Sequence, residues 1–281
     1  MKLLNDKKQF EKALAIFDQY GISNILTLSN FTITQVLKAC AHMGDLQRGK
    51  VIHNLIASKT ENDIYVSSTL IHMYVHCADI ASAQSLFDST KNKTPQMYGM
   101  MMKNALMKCG DVAHAESLFY SSKEKGLSSY GVMMKGYVEN NLAQKTIELF
   151  NELKNPADVN TILLNQMKLD DIQSSIPIYL SAIKAVSQIG DYSKAQSIVK
   201  QIPDCLLVEN QIPGALIDLW GKVGSVDEAK LIFDKIRQPN AIEYTIMVNS
   251  YGLNGMGMQA IALFHQIPRE LLGEATYVCA L

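Results

Sequence analysis

The stretch Ile242-Glu243-Tyr244-Thr245-Ile246-Met247-Val248-Asn249-Ser250-Tyr251 is followed by Gly255 and then by Ala260-Ile261-Ala262-Leu263-Phe264. It reads as two short helices around a glycine, and its three marked positions recur along the chain. A small residue with an aromatic four places later appears as Ala13/Phe17, Ala83/Phe87, Ala115/Phe119, Ala229/Phe233 and Ala260/Phe264. Degenerate copies are Gly49/His53, Thr146/Phe150 and Ala195/Val199. Five residues before seven of these small positions stands a turn residue: Gly44, Ala78, Gly110, Asn141, Gly190, Gly224 and Gly255. Four residues before each turn stands an apolar residue: Cys40, Tyr74, Leu106, Tyr137, Val186, Trp220 and Tyr251. Three slots that keep one phase through seven units are the mark of a repeat array.

Each slot has a physical role. The apolar residue ends a first helix (A) on its buried side, and the turn residue takes the left-handed conformation that stops it. Asp45, Asp79, Asp111, Asp191 and Ser225 follow the turn, where a side-chain oxygen can cap the next helix (B) and meet the positive end of its dipole. The small residue lets A and B approach, and the aromatic one turn later fills the space between units. Hairpins apolar on more than one side need neighbours to bury them. The expected fold is therefore all-α, a right-handed superhelical solenoid of tandem helix-turn-helix repeats.

Turn-to-turn spacings are 34, 32, 31, 49, 34 and 31 residues, counted between the seven turn positions. We expect one array over 1–281: a partial repeat 1–29, repeats at about 30–63, 64–94, 95–126, 127–175, 176–209, 210–240 and 241–273, and a partial repeat 274–281. The long spacing places an insert of about 14 residues near 155–175, with a short helix around 160–167. The chain is expected to open inside a B helix with no A helix before it, and both ends look cut from a longer array.

Composition narrows the function classes. Hydrophobic residues make up 48% and charged residues 19%, which suits a packed core rather than disorder. No apolar run reaches the roughly 20 residues of a membrane span, so no membrane partner is expected. The net charge is −1, from 26 Lys+Arg and 27 Asp+Glu, so no strongly basic domain is advertised. Five widely spaced cysteines without a Cys-x-x-Cys read as free thiols in a reducing setting. The N-terminus, with Asp6 and Glu11, shows no transit peptide and reads as an amphipathic helix of the fold.

The units resemble pentatricopeptide repeats, on 242–251 with 260–264 and on Tyr130-Gly131-Val132-Met133-Met134-Lys135-Gly136-Tyr137 with Ile147-Glu148-Leu149-Phe150. Tetratricopeptide repeats would need a Trp-x-x-Leu-Gly-x-x-Tyr pattern and a closing proline, and neither recurs at period. Phe31 to Cys40 with Gly49 to His53 is similar to the long variant of the repeat. Ser68 to Tyr74 and Ala215 to Lys222 are similar to the short one, which together resembles the mixed-length subclass.

The resemblance implies single-stranded RNA as partner, about one base per repeat, read by two or three side chains. By resemblance the reading pairs are Thr34/Asp63, Ser68/Thr94, Gly131/Ser175, Leu180/Glu209, Gly214/Asn240 and Thr245/Gly273. In the unit near Pro95 the first reader is Gly99 or Met100, depending on the end from which it is counted. Thr34/Asp63 matches best and implies a purine, G by preference. Gly214/Asn240, Ser68/Thr94 and Thr245 match in part, so sequence reading is expected to be weak. The resemblance also implies action in organelle RNA processing or editing, mitochondrial by family.

No catalytic site, metal or cofactor is expected. His72 and His76 are four apart on one helix face, but Met73 stands where a zinc peptidase needs Glu, and no third ligand is in view. They read as solvated or groove-facing. A zinc deaminase needs His-x-Glu and Pro-Cys-x-x-Cys, which the chain lacks. The 14 methionines, Met100-Met101-Met102 among them, read as core filling rather than a binding surface. Lys7-Lys8 and the lysines of 91–93 read as solvated. The other function class is a protein–protein scaffold using the same concave surface for possible protein partners.

Overall fold

The structure is a computed structural model. It describes all residues except 21–24, 26, 58–62, 107–109, 124, 155–171, 208–210, 274–275 and 277–281, and the side chains of 20, 172–175 and 205. The insert core and its expected short helix, together with Glu209, lie outside the described residues. The chain divides into two compact units, 1–125 and 126–281.

The first unit holds α1 (Lys2–Asp6), α2 (Phe10–Tyr20), α3 (Asn30–Met43), α4 (Leu46–Leu55), α5 (Ile64–His76), α6 (Ile80–Ser89), α7 (Pro95–Asn104) and α8 (Val112–Ser121). The second holds α9 (Leu127–Glu139), α10 (Ala143–Lys154), α11 (Ile172–Ile189), α12 (Tyr192–Val199), α13 (Ile212–Val223), α14 (Val226–Phe233), α15 (Ala241–Leu253) and α16 (Gly257–Phe264). No strand occurs among the described residues. The protein is an all-α tandem array of helical hairpins.

The hairpin turns are built as the slots require. Among the described residues, positive φ is found at all seven expected turn positions and at one more, Lys8 (φ 56). The amide after the turn reaches back to the apolar-slot carbonyl: Asp45 to Cys40 at 3.0 Å, Asp79 to Tyr74 at 2.9 Å, Ser225 to Trp220 at 2.8 Å. This six-to-one bond satisfies a carbonyl orphaned at the end of a helix. In the third hairpin the last turn of the A helix widens at Ala105 and Leu106, so Asp111 reaches Ala105 instead of Leu106.

Lys8 corrects one expectation. It lies five residues before Ala13, and Gln9 N–H donates to the Leu4 carbonyl at 2.8 Å, the same bond in an eighth hairpin. α1 thus stands in the A-helix place before α2. The sequence hid it because lysine replaces the glycine and Leu4 is the only apolar mark of the slot.

The caps follow. Asp45, Asp79, Asp111 and Asp191 accept from the amides of Arg48, Ser82, His114 and Lys194. Ser225 stands at the N-cap of α14, but its hydroxyl bonds Glu228 rather than an amide.

The small slot is closed throughout: Ala13, Ala83, Ala115, Thr146, Ala195 and Ala229 are 0% exposed. A Cβ on Gly49 would stand 2.5 Å from Met73 Sδ. The aromatic slot joins successive hairpins. Phe87 meets Tyr98 edge-on at 5.2 Å, Phe150 meets Tyr179 at 6.0 Å, and Phe233 meets Tyr244 at 5.3 Å. Where His53 replaces the aromatic, its Nδ1 bonds the Tyr74 hydroxyl at 2.7 Å. Burial pushes the Cys40 thiol up to about 12, so it stays protonated within the core.

Ala229→Trp should lower stability by about 1–3 kcal/mol through overpacking. Leu231→Trp on the exposed side of the same helix should leave the thermal melt unchanged. Equal melting curves for the two variants would contradict the assignment of the small slot.

Candidate nucleic-acid interface

The A helices begin with caps that coincide with the predicted second readers. Asp63 caps α5 by accepting from the Tyr65 and Val66 amides at 2.8 and 3.1 Å, and Asn30 Nδ2 donates to its other oxygen. Burial acts to raise the Asp63 pKa, but these three donors outweigh it and hold the carboxyl below its usual range. Thr94 caps α7 by accepting from the Met97 amide at 3.2 Å. Asn240 caps α15 through Oδ1, which accepts from the Ile242 and Glu243 amides, while Glu243 returns a bond to its backbone. Asp63, Thr94 and Asn240 therefore have structural work whatever else they do.

Four first readers stand five residues past the caps, whereas Gly214 stands three past Gln211. Thr34 follows Ser29, Ser68 follows Asp63, Gly131 follows Gly126, and Thr245 follows Asn240. The same count from Thr94 selects Gly99 over Met100. Thr34 is 8% exposed and donates to the Phe31 carbonyl at 2.8 Å. Thr245 donates to the Ala241 carbonyl at 2.7 Å and shares a hydrogen bond with Thr276. Gly131 and Gly214 offer no side chain, and Gly214 is buried within 3.7 Å (from an added Cβ) of Ile246 in the next hairpin. Leu180 is half-buried.

Two sets of residues on the reader face were not joined by the sequence reading, which had only His72 and His76 of the second set, as solvated or groove-facing. The first lies one helical turn ahead of the readers: Phe31, Tyr65 and Ile242, exposed at 58%, 78% and 69%. They precede Thr34, Ser68 and Thr245 by three residues and so share their helix face. The second set lies one and two turns beyond. Four and eight residues past Thr34 are Lys38 and His42; past Ser68, His72 and His76; and four past Gly99, Lys103. Both sets follow from counting by helical turns away from a reader.

The histidines do not stand alone. His42 on α3 stacks on Phe10 at 4.3 Å and lies 6.4 Å from His76, which lies 4.2 Å from His72 (ring centroids). The third histidine that the sequence did not show thus comes from the neighbouring A helix. Even so, no group of three metal-ligating side chains among the described residues has the geometry to hold an ion. His72 Nδ1 is buried without a hydrogen-bond partner. Burial first, then His76, His42, Lys38 and Lys103, pushes its pKa down to about 4.

The PPR repeat family model matches residues 128–155, 214–238 and 244–270. In these three segments the chain is similar to pentatricopeptide repeats. The matched segments span α9–α10, α13–α14 and α15–α16 of the second unit. Two pentatricopeptide repeat-containing proteins of Arabidopsis thaliana are 24% identical over 90% of this chain and 23% over 92%, matching 35% and 31% of their own lengths. The chain therefore spans about a third of these curated relatives. The crystal structure of the maize pentatricopeptide repeat protein PPR10 superposes with a TM-score of 0.56 at 17% identity, covering 99% of this chain and 40% of that one. That likeness is one of fold. No helix among the described residues is long and apolar enough to cross a membrane.

Folded His72 takes a proton only near pH 4, whereas an unfolded chain takes one near 6.5, so stability is lost as pH falls through that window. The melting temperature should fall between pH 6.5 and 4, and His72→Leu should shrink the fall. An identical pH profile in the variant would remove His72 as a cause.

Proposed function

We propose that this chain is a non-catalytic adaptor that holds single-stranded RNA along the exposed stripes of its A helices. One observation carries the reading. In three repeats an exposed large apolar side chain (Phe31, Tyr65, Ile242) stands one turn ahead of a hydroxyl (Thr34, Ser68, Thr245). A flat or apolar platform accepts the face of any base, and a short polar group beside it meets the base edge. The caps can serve in the same place. Asn240 spends Oδ1 on the helix amides, and its Nδ2 has no partner among the described residues, so it is free to donate to a base edge.

Selectivity by such a site is weak. Thr34/Asp63 remains the pair for a purine, with G preferred, and Ser68/Thr94 and Gly214/Asn240 are secondary. Gly131 adds no side chain to the edge, and Thr245 is already engaged with Thr276. The unequal spacings support membership of the mixed-length subclass. With no deaminase motif in the chain, its place is that of a targeting array in organelle RNA processing or editing, in mitochondria by family resemblance. The maize protein PPR10 has also been solved in complex with an 18-nt psaJ RNA element. For the present chain the reading rests on its own stripe.

The test is binding to mixed single-stranded RNA across a salt series, with affinity expected to fall steeply as salt rises. Tyr65→Ala should cost about 1–3 kcal/mol of binding, the worth of one stacked base. Absence of binding at low salt would favour a protein–protein scaffold. Thr34→Ala combined with Asp63→Asn keeps a cap on α5 and should change base preference at one position; Asp63→Ala would instead cost about 1 kcal/mol of stability. Unchanged preference in a variant that still binds would remove the Thr34/Asp63 assignment.

A further inference from the structure

The A-helix stripe of the first unit differs in charge from those of the second. In the first unit the positions one and two turns past the readers are Lys38, His42, His72, His76 and Lys103, with no carboxylate among them. Lys38, His42, His76 and Lys103 are exposed around the half-buried His72. The corresponding positions of the second unit mix signs. Lys135 pairs with Glu139 at 3.8 Å and Lys222 with Asp218 at 2.7 Å, Lys184 is exposed and followed by the uncharged Gln188, and Asn249 and Leu253 carry no charge. Charges cancelled within one helix turn have little left for a polyanion, whereas an all-basic row does.

We propose that Lys38, His42, His72, His76 and Lys103 form a phosphodiester-contacting patch whose hold on the polyanion is set by protonation of its exposed histidines. The inference rests on the RNA reading for its natural ligand, and it adds the place of the backbone contact and its pH control. Histidine is the side chain whose charge changes between pH 5 and 8. A row of phosphates along the stripe favours the imidazolium forms, so binding takes up protons and strengthens as pH falls. His72, which its burial and then the surrounding cations keep neutral, gains from an anion that neutralises its neighbours.

The charged groups around the patch do not cancel it. Lys38 and Lys103 make no ion pair among the described residues. On α4, Arg48 pairs with Asp18 and Asp45, Lys50 pairs with Asp79, and His53 bonds Tyr74. On α6, Asp79 is held by Lys50 and by the Ser82 amide, and Asp88 accepts from Gln84. The α1–α2 hairpin beside His42 carries Asp6 and Glu11 against Lys2, Lys7, Lys8 and Lys12.

The experiment measures binding of a short mixed-sequence single-stranded RNA, and separately of inorganic polyphosphate, at pH 6 and pH 8 across a KCl series. Both should bind more tightly at pH 6, by about five-fold near 0.1 M salt for each added contact, with the log–log salt slope steeper by about 0.7. His42→Gln with His76→Gln should abolish that ratio and retain the pH 8 affinity. Lys38→Gln with Lys103→Gln should weaken binding at both pH values and keep the ratio. Thermal melts confirm that each variant is folded. RNA binding without pH dependence, or a ratio that survives in the double histidine variant, overturns the patch and leaves the RNA reading standing. Polyphosphate binding with a histidine-dependent ratio but no RNA binding does the reverse. Failure of both polyanions at low salt overturns both.

Discussion

Everything in this protein depends on a backbone constraint at the hairpin turn. One residue takes a left-handed conformation, in most hairpins the next amide returns to a carbonyl five residues back, and in four hairpins an aspartate then caps the following helix. These bonds satisfy the donors and acceptors left over where one helix stops and another starts. They also fix how the B helix leaves the A helix, so the small slot always arrives opposite its partner. Bulk at that slot would separate the helices, and the fully buried alanines show how little room exists.

Close packing at the small slot has a second consequence. Each A helix is covered by its own B helix and by its neighbours within the unit, as α5 is by α3, α4, α6 and α7. One stripe is left open, and where the reader stands five residues past its cap, the cap sets the starting point of the helix. Edge-on contacts such as Phe87 with Tyr98 sit directly before the reader position and hold the helix there in rotation. A repeated surface therefore follows from repeated packing, and its chemistry can vary freely. Phe31 and Tyr65 show the permissive side of this, since neither supports the core.

The repeat was legible because its slots are local: the turn, small and apolar positions lie within ten residues of one another. All seven turns read from the sequence have positive φ, and the four aspartates sit as caps. The eighth turn was missed because Lys8 takes a conformation usually left to glycine, asparagine or aspartate. The site was less legible for a different reason. His42 and His76 meet across two helices and 34 residues, and no local spacing announces that. Asp63, Thr94 and Asn240 were picked out as readers through resemblance alone, and their capping role became visible only with the helix starts in place.

A net charge of −1 says little about whether such a chain can hold a polyanion. Affinity for phosphates depends on the cations that face them within a Debye length of about 10 Å at 0.1 M salt. Acidic residues engaged as caps at the B-helix starts, as Asp45 and Asp79 are, serve the fold and count in the total. Subtracting them leaves the open stripe of the first unit basic, with two lysines and three histidines. Its charge is also variable, since histidines stand beside the lysines among its exposed members. A chain neutral overall can thus present a surface whose sign is fixed and whose strength follows pH, because some of its carboxylates are engaged at helix starts away from that stripe.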